Sequence, residues 1–162
     1  MKVLKFGGTS VGSAKNIQKV IEIVKNESLS ENVSVVVSAI GGITDRLLAA
    51  ADKAVQKNKK YKVDFESIRL KHIEVIDGLL SEEAHQTTLD IVLNHLSKLE
   101  KILDGIYLIN EMSPKTTDKL LSFGELLSSL IIFETMKLQD FKAQSNYCSH
   151  YYYAKIKLCS IN

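Results

Sequence analysis

The chain has 162 residues, of which 45% are hydrophobic and 25% charged, with a formal net charge of +2. Such a length supports one domain with a sizeable core, and so small a net charge argues for neither a nucleic-acid nor a membrane-surface partner. Cys148 and Cys159 are the only cysteines, too few for a disulfide scaffold or a zinc site.

The first element is a short buried strand marked by Val3, Leu4 and Phe6. The apolar stretch after Met1-Lys2 breaks at Lys5, so it does not read as a signal peptide, and a reducing cytoplasm is the expected compartment. The strand ends in Lys5-Phe6-Gly7-Gly8-Thr9-Ser10. A glycine pair lets the backbone turn sharply and approach a ligand closely. Ser13 then caps a helix whose apolar positions are Ile17, Val20, Ile21 and Val24. A strand, a glycine turn and a helix N-terminus converge unpaired N–H groups on one spot, and Lys5 adds a full positive charge beside it. This hexad reads as a phosphate-handling device. It is not a P-loop, whose lysine follows the second glycine, and adjacent glycines do not fit the dinucleotide fingerprint G-x-G-x-x-G.

A second copy of the arrangement follows. Val33, Val35, Val36 and Val37 form a β-branched run suited to a buried parallel strand. It ends in Ser38-Ala39-Ile40-Gly41-Gly42-Ile43-Thr44, and an amphipathic helix continues through Leu47, Leu48, Ala51 and Val55. Two successive β-loop-α units thus carry a glycine pair at the carboxyl end of the strand, the edge where open α/β sheets bind ligands. Ser38 and Thr44 offer hydroxyls there, and Gly41 and Gly42 offer backbone N–H groups. The plainer alternative is that Thr44 merely caps its own helix.

The chain then turns helical. Lys57 to Lys62 reads as a solvated, lysine-rich loop. Asp64 or Ser67 begins a helix through Ile68, Ile73, Ile76 and Leu80. Another runs from about Glu82 to Leu103 on a stripe of Leu89, Val92, Leu93, Leu96, Leu99 and Ile102, with Gly105 as its stop. Ser113-Pro114 restarts a helix with a good cap and a good first residue. Glu125 stands at the start of an apolar helix, Leu126 to Met136, where a carboxylate also suits the helix dipole. The apolar run Leu126–Phe133 is interrupted by Ser128 and Ser129 and is too short to span a membrane. His72, His85, His95 and His150 show no metal-ligand spacing.

Three blocks together resemble the aspartokinases of the amino-acid kinase family: Lys5-Phe6-Gly7-Gly8-Thr9-Ser10-Val11, then Val37-Ser38-Ala39 with Gly42-Ile43-Thr44, and Leu121-Ser122-Phe123-Gly124-Glu125. Their order and spacing hold across roughly the first 144 residues. The resemblance implies an α/β, three-layer α/β/α fold of which this is the N-terminal part, with mostly parallel strands and a large helical insert. It implies transfer of the ATP γ-phosphoryl to the side-chain carboxylate of L-aspartate, the first step toward lysine, threonine and methionine. ATP and Mg²⁺ are the implied cofactors, although no Mg²⁺ ligands are identified, and a homo-oligomer is expected. Carried over by block, Lys5 is the catalytic residue bridging the phosphates. Phe6, Gly7, Gly8, Thr9 and Ser10 complete the phosphate loop, with Gly7 and Gly8 giving backbone donors. Ser38, Gly42, Thr44 and Glu125 fall at the aspartate, with Glu125 facing its ammonium.

The end departs from that pattern. A strand beginning near Phe141 should run on through an aromatic and an acidic residue. Instead Ala143-Gln144 gives way to Ser145-Asn146-Tyr147-Cys148, and four of the six tyrosines and both cysteines fall in the last eighteen residues. The division expected is residues 1–144, the aspartate-binding part of a kinase domain, and 145–162, a divergent tail of frameshifted or truncated origin. The resemblance further implies a glycine-rich ATP segment and regulatory domains beyond this length. A chain of this kind is expected to be inactive alone. The alternative function is a non-catalytic binding module that keeps only the amino-acid pocket.

Overall fold

The computed structural model describes residues 1–139 and the backbone of two further strands, 143–148 and 153–158. The elements are β1 (Lys2–Phe6), α1 (Ala14–Ser28), β2 (Val33–Val37), α2 (Ile43–Val55), α3 (Tyr61–Leu79), α4 (Glu82–Ile109), α5 (Pro114–Lys137), β3 (Ala143–Cys148) and β4 (Tyr153–Leu158). This is the mixed α/β fold with a large helical share that the sequence implies. Residues 140–142, among them Phe141, and 149–152 and 159–162 of the expected divergent tail lie outside the described residues.

The sheet runs in the order β1-β2-β4-β3. β1 and β2 are parallel, with Leu4 opposite Val35 and Phe6 opposite Val37, as two successive β-loop-α units require. β4 adds to β2 antiparallel, and β3 adds to β4 in the same sense. The expected parallel pairing therefore holds for the N-terminal strands, while the tail residues join the sheet antiparallel. Val33, Val35 and Val37 are buried. β-Branched side chains of this kind pack well on a pleated surface.

Helices cover the valine face. Ser13 caps α1 by accepting the Asn16 N–H, and Ile17, Val20, Ile21 and Val24 are buried as their spacing predicts. α2 sits at the centre of the helical layer, packed against α3, α4 and α5. Its Ala50, Ala51 and Ala54 are fully buried beside Leu47, so small side chains let three neighbours approach. No helix among the described residues is long and apolar enough to cross a membrane.

Two helix boundaries differ from expectation. α3 starts at Tyr61, before Asp64 and Ser67, because Tyr61 is buried and its hydroxyl donates to Asp104 Oδ1 at 2.6 Å. The Asn58 side chain also accepts the Lys60 N–H just ahead of the helix. Gly105 does not stop α4, which runs on to Ile109 and ends at Asn110 with φ +60°. Burial of Leu103 and Ile106 on either side outweighs the cost of about 1 kcal/mol for a glycine within a helix. Lys57 is exposed, as expected of a solvated lysine-rich loop, and its Nζ also donates to the last carbonyls of this helix, Tyr107 at 2.5 Å and Leu108 at 2.8 Å.

One histidine is fully interior. His72 bonds through Nδ1 to the Ile68 carbonyl at 2.8 Å, and burial lowers its pKa to about 4. It is neutral at ordinary pH. Among the described residues no three His, Cys, Asp or Glu side chains converge as a metal site.

Candidate functional site

The loops after β1 and β2 meet backbone to backbone. A Cβ on Gly8 would lie 3.0 Å from the Ala39 carbonyl oxygen, one on Gly41 3.2 Å from the Gly8 oxygen, and one on Gly12 also 3.2 Å from that oxygen. These contacts leave little room for side chains: Gly8 and Gly41 are explained by packing between the loops, and Gly12 by the fold of its own loop against Gly8 and Thr9. Gly7 and Gly42 differ, because a Cβ on either would point into open space. Gly42 has φ +81°, a left-handed conformation that favours glycine and turns the chain into α2.

The first loop is closed by its own bonds. Ser10 and Val11 N–H donate to the Gly7 carbonyl, and Gly12 N–H to that of Thr9. The Asn16 side chain also donates to Thr9 O at 2.9 Å. Ser38 N–H donates to Phe6 O at 3.0 Å, carrying the strand pairing past the last residue of β2. The N–H groups of Gly8, Thr9, Gly41 and Gly42 donate to no acceptor among the described residues. Uncommitted amides at strand ends and helix starts are anion donors. Lys5 is exposed at the end of β1, opposite Val36, and has no ion-pair partner among the described residues.

α5 brings the acidic residue to this junction. A Cβ on Gly124 would lie 2.8 Å from the Ala39 Cβ, so glycine lets the helix press onto the second loop. Ser128, one turn on, donates its hydroxyl to the Ser38 carbonyl at 2.7 Å. Glu125 lies between them, half-buried. Burial pushes its carboxyl above the ordinary value, and bonds from its own N–H and that of Ala39 partly offset this. Glu125 is thus not at a helix start, as its sequence surroundings predict. It sits in the interior of the 24-residue helix Pro114–Lys137, so the first-turn dipole plays no part in its placement. Ser113 is the cap, accepting the Thr116 N–H, with Pro114 as the first residue, both as expected.

Thr44 does not cap α2. The cap position is Gly42, with no side-chain bond, and Thr44 lies exposed in the first turn. The structure therefore brings Ser38, Glu125 and the Gly8–Gly41 contact together, with Thr44 on the adjoining turn. Phe6, Thr9 and Ser10 line a separate cavity of about 360 Å³ with Asn16 and Lys19 of α1, and no acceptor-side residue reaches it. Sequence reasoning missed the roles of Gly12, Gly124, Ser128 and the Ala39 N–H. A signal for two of them exists: Gly124 and Ser128 are four apart, so they share the helix face that Glu125 adjoins.

The glycines of α4 and α5 give a test with opposite signs. Gly124→Ala should destabilise by about 1–3 kcal/mol through overpacking against Ala39. Gly105→Ala, whose new methyl meets open space, should stabilise by about 0.5–1 kcal/mol. Urea denaturation of both variants measures this, and a shift of the same sign in both would contradict the close approach at Ala39.

Comparison with known proteins agrees with the three blocks. A family model described as the amino acid kinase family matches residues 1–151. Aspartokinase 1, chloroplastic, of Arabidopsis thaliana is 32% identical over 145 residues, covering 88% of this chain and 24% of that protein. Aspartokinase of Candida albicans is 35% identical, covering 83% of this chain and 26% of the relative. Among solved structures, E. coli aspartokinase III in complex with aspartate and ADP superposes with a TM-score of 0.76 at 28% identity, over 89% of this chain and 30% of that one. The chain spans about a quarter of the length of these curated relatives.

Proposed function

The chain belongs to the amino acid kinase family, and on that premise we propose that it serves an aspartate kinase, which transfers the γ-phosphoryl of ATP to the side-chain carboxylate of L-aspartate. The observation that carries this reading is the meeting of two glycine loops at the carboxyl ends of parallel strands, with a half-buried glutamate held against the second loop. The aspartokinase relatives, and the aspartate and ADP of the structural neighbour, support it.

In the reaction a side-chain carboxylate oxygen attacks the γ-phosphorus. The new O–P bond forms as the bond to the β–γ bridging oxygen breaks, giving an acyl phosphate and ADP. Such transfer depends on positioning and on stabilising charge at the phosphoryl oxygens. In this reading Lys5 and the amides of Gly7 and Gly8 meet that charge, with Phe6, Thr9 and Ser10 shaping the loop. Glu125 pairs with the substrate ammonium, and the Ser38 and Thr44 hydroxyls, with the backbone at Gly42, orient its carboxylates. Mg²⁺ would neutralise the phosphates when bound. The described residues form no cluster of three ligands to hold it, so no step is assigned to a protein-held metal.

A second reading rests on the half-buried Glu125 carboxylate held against the second loop: an acceptor-binding module without turnover. Titration calorimetry with L-aspartate and with succinate, which lacks the ammonium, should show saturable binding of aspartate at least tenfold tighter. A coupled assay for ADP on the same preparation then separates the readings. Aspartate-dependent ADP release establishes the kinase, and binding without release establishes the module. Absence of preferential aspartate binding would overturn both.

A further inference from the structure

A second set of cations lies away from the glycine junction. On α4, His95, Lys98 and Lys101 follow one another at spacings of three, which places them along one helix face. Lys119 of α5 faces them across a groove of about 360 Å³. Its floor is apolar, formed by Ile102, Phe123 and Leu126. The Lys119 ammonium lies 5.8 Å from the Phe123 ring centroid.

The seven ion pairs of the described residues involve none of the three lysines. His95 accordingly titrates below its ordinary value, because burial, and then the charges of Lys98 and Lys119, disfavour the imidazolium. Like charges gathered around an apolar floor raise the local positive potential, and a low-dielectric wall strengthens it. Such a concave site fits a ligand with an apolar body and an anionic end.

We propose that the groove between α4 and α5 binds a small organic anion, its apolar body on Ile102, Phe123 and Leu126 and its charged group among Lys98, Lys101 and Lys119. Phe123 and Leu126 flank Gly124 and Glu125 on the same turn of α5, so the occupant would bear on the helix that presents Glu125. The site stands on its own geometry and does not depend on the kinase reading.

The test uses calorimetry on the whole chain with three probes: phenylphosphate, inorganic phosphate for charge alone, and benzyl alcohol for the apolar part alone. Phenylphosphate should bind with one site and at least tenfold tighter than either. The double variant Lys98→Gln, Lys119→Gln should weaken it at least tenfold, with the melting temperature held because both side chains are exposed. In heteronuclear spectra the His95 ring signals should move on titration with phenylphosphate. Equal binding of inorganic phosphate, unchanged affinity in the double variant, or no saturable binding would each overturn the proposal. Failure of aspartate to bind would leave it standing.

Discussion

Replacing Lys5 with alanine should lower kcat by about a hundredfold or more while leaving KM for aspartate nearly unchanged. The assay is aspartate-dependent ADP release by an enzyme assembled from residues 1–139 of this chain and the remainder of an aspartokinase relative. The split between the two constants follows from where the charge acts. Lys5 is exposed at the end of β1, with no described carboxylate to neutralise it, beside a loop whose Gly8 and Thr9 amides are uncommitted. A charge aimed at the phosphoryl oxygens gains most as negative charge shifts during transfer, so it belongs to the transition state more than to bound aspartate. Uniform weakening, seen as a higher KM with kcat preserved, would place Lys5 in acceptor binding. Unchanged kinetics would leave it a surface lysine at a strand end.

Much of this arrangement was legible in the sequence because it rests on local signals. The valine run of β2, the Ser13 cap of α1 and Ser113-Pro114 at the head of α5 each act within a few residues, and each appears where its chemistry predicts. The glycine pairs were legible as turns, but their distinct reasons were not. Gly8 and Gly41 are required by each other's loop, a contact between positions more than thirty residues apart, whereas Gly42 is required by its own φ. Gly105 misled for the complementary reason. A local stop signal was outweighed by tertiary burial of Leu103 and Ile106. The expected helix start at Glu125 did not hold, because the helix that Ser113-Pro114 begins runs unbroken through Gly124 to Lys137. The position of Glu125 against Ala39 depends on the Gly124 contact and the Ser128 bond, neither of which a one-dimensional pattern displays.

Glu125→Gln should separate binding from stability. Loss of a charge-assisted contact costs about 1.5–3 kcal/mol, so aspartate affinity should fall roughly ten- to a hundredfold. Stability should not fall with it. In the folded chain burial raises the Glu125 carboxyl above its reference value of 4.5, so the ionised form opposes folding at neutral pH. That penalty is relieved as pH falls through the raised value, and glutamine removes it at every pH. The melting temperature of the variant should therefore equal or exceed that of the parent at pH 7. The same shift fixes the sign for binding: an ammonium partner favours the carboxylate, so aspartate affinity should decline as pH falls through the raised value of the free chain. In the glutamine variant this decline should vanish within that window. Calorimetry across pH and thermal melts of both proteins measure the two quantities. A variant that loses melting temperature and affinity together would show that the bond between Glu125 and the Ala39 N–H holds α5 to the loop, with no ammonium recognition needed to explain the loss.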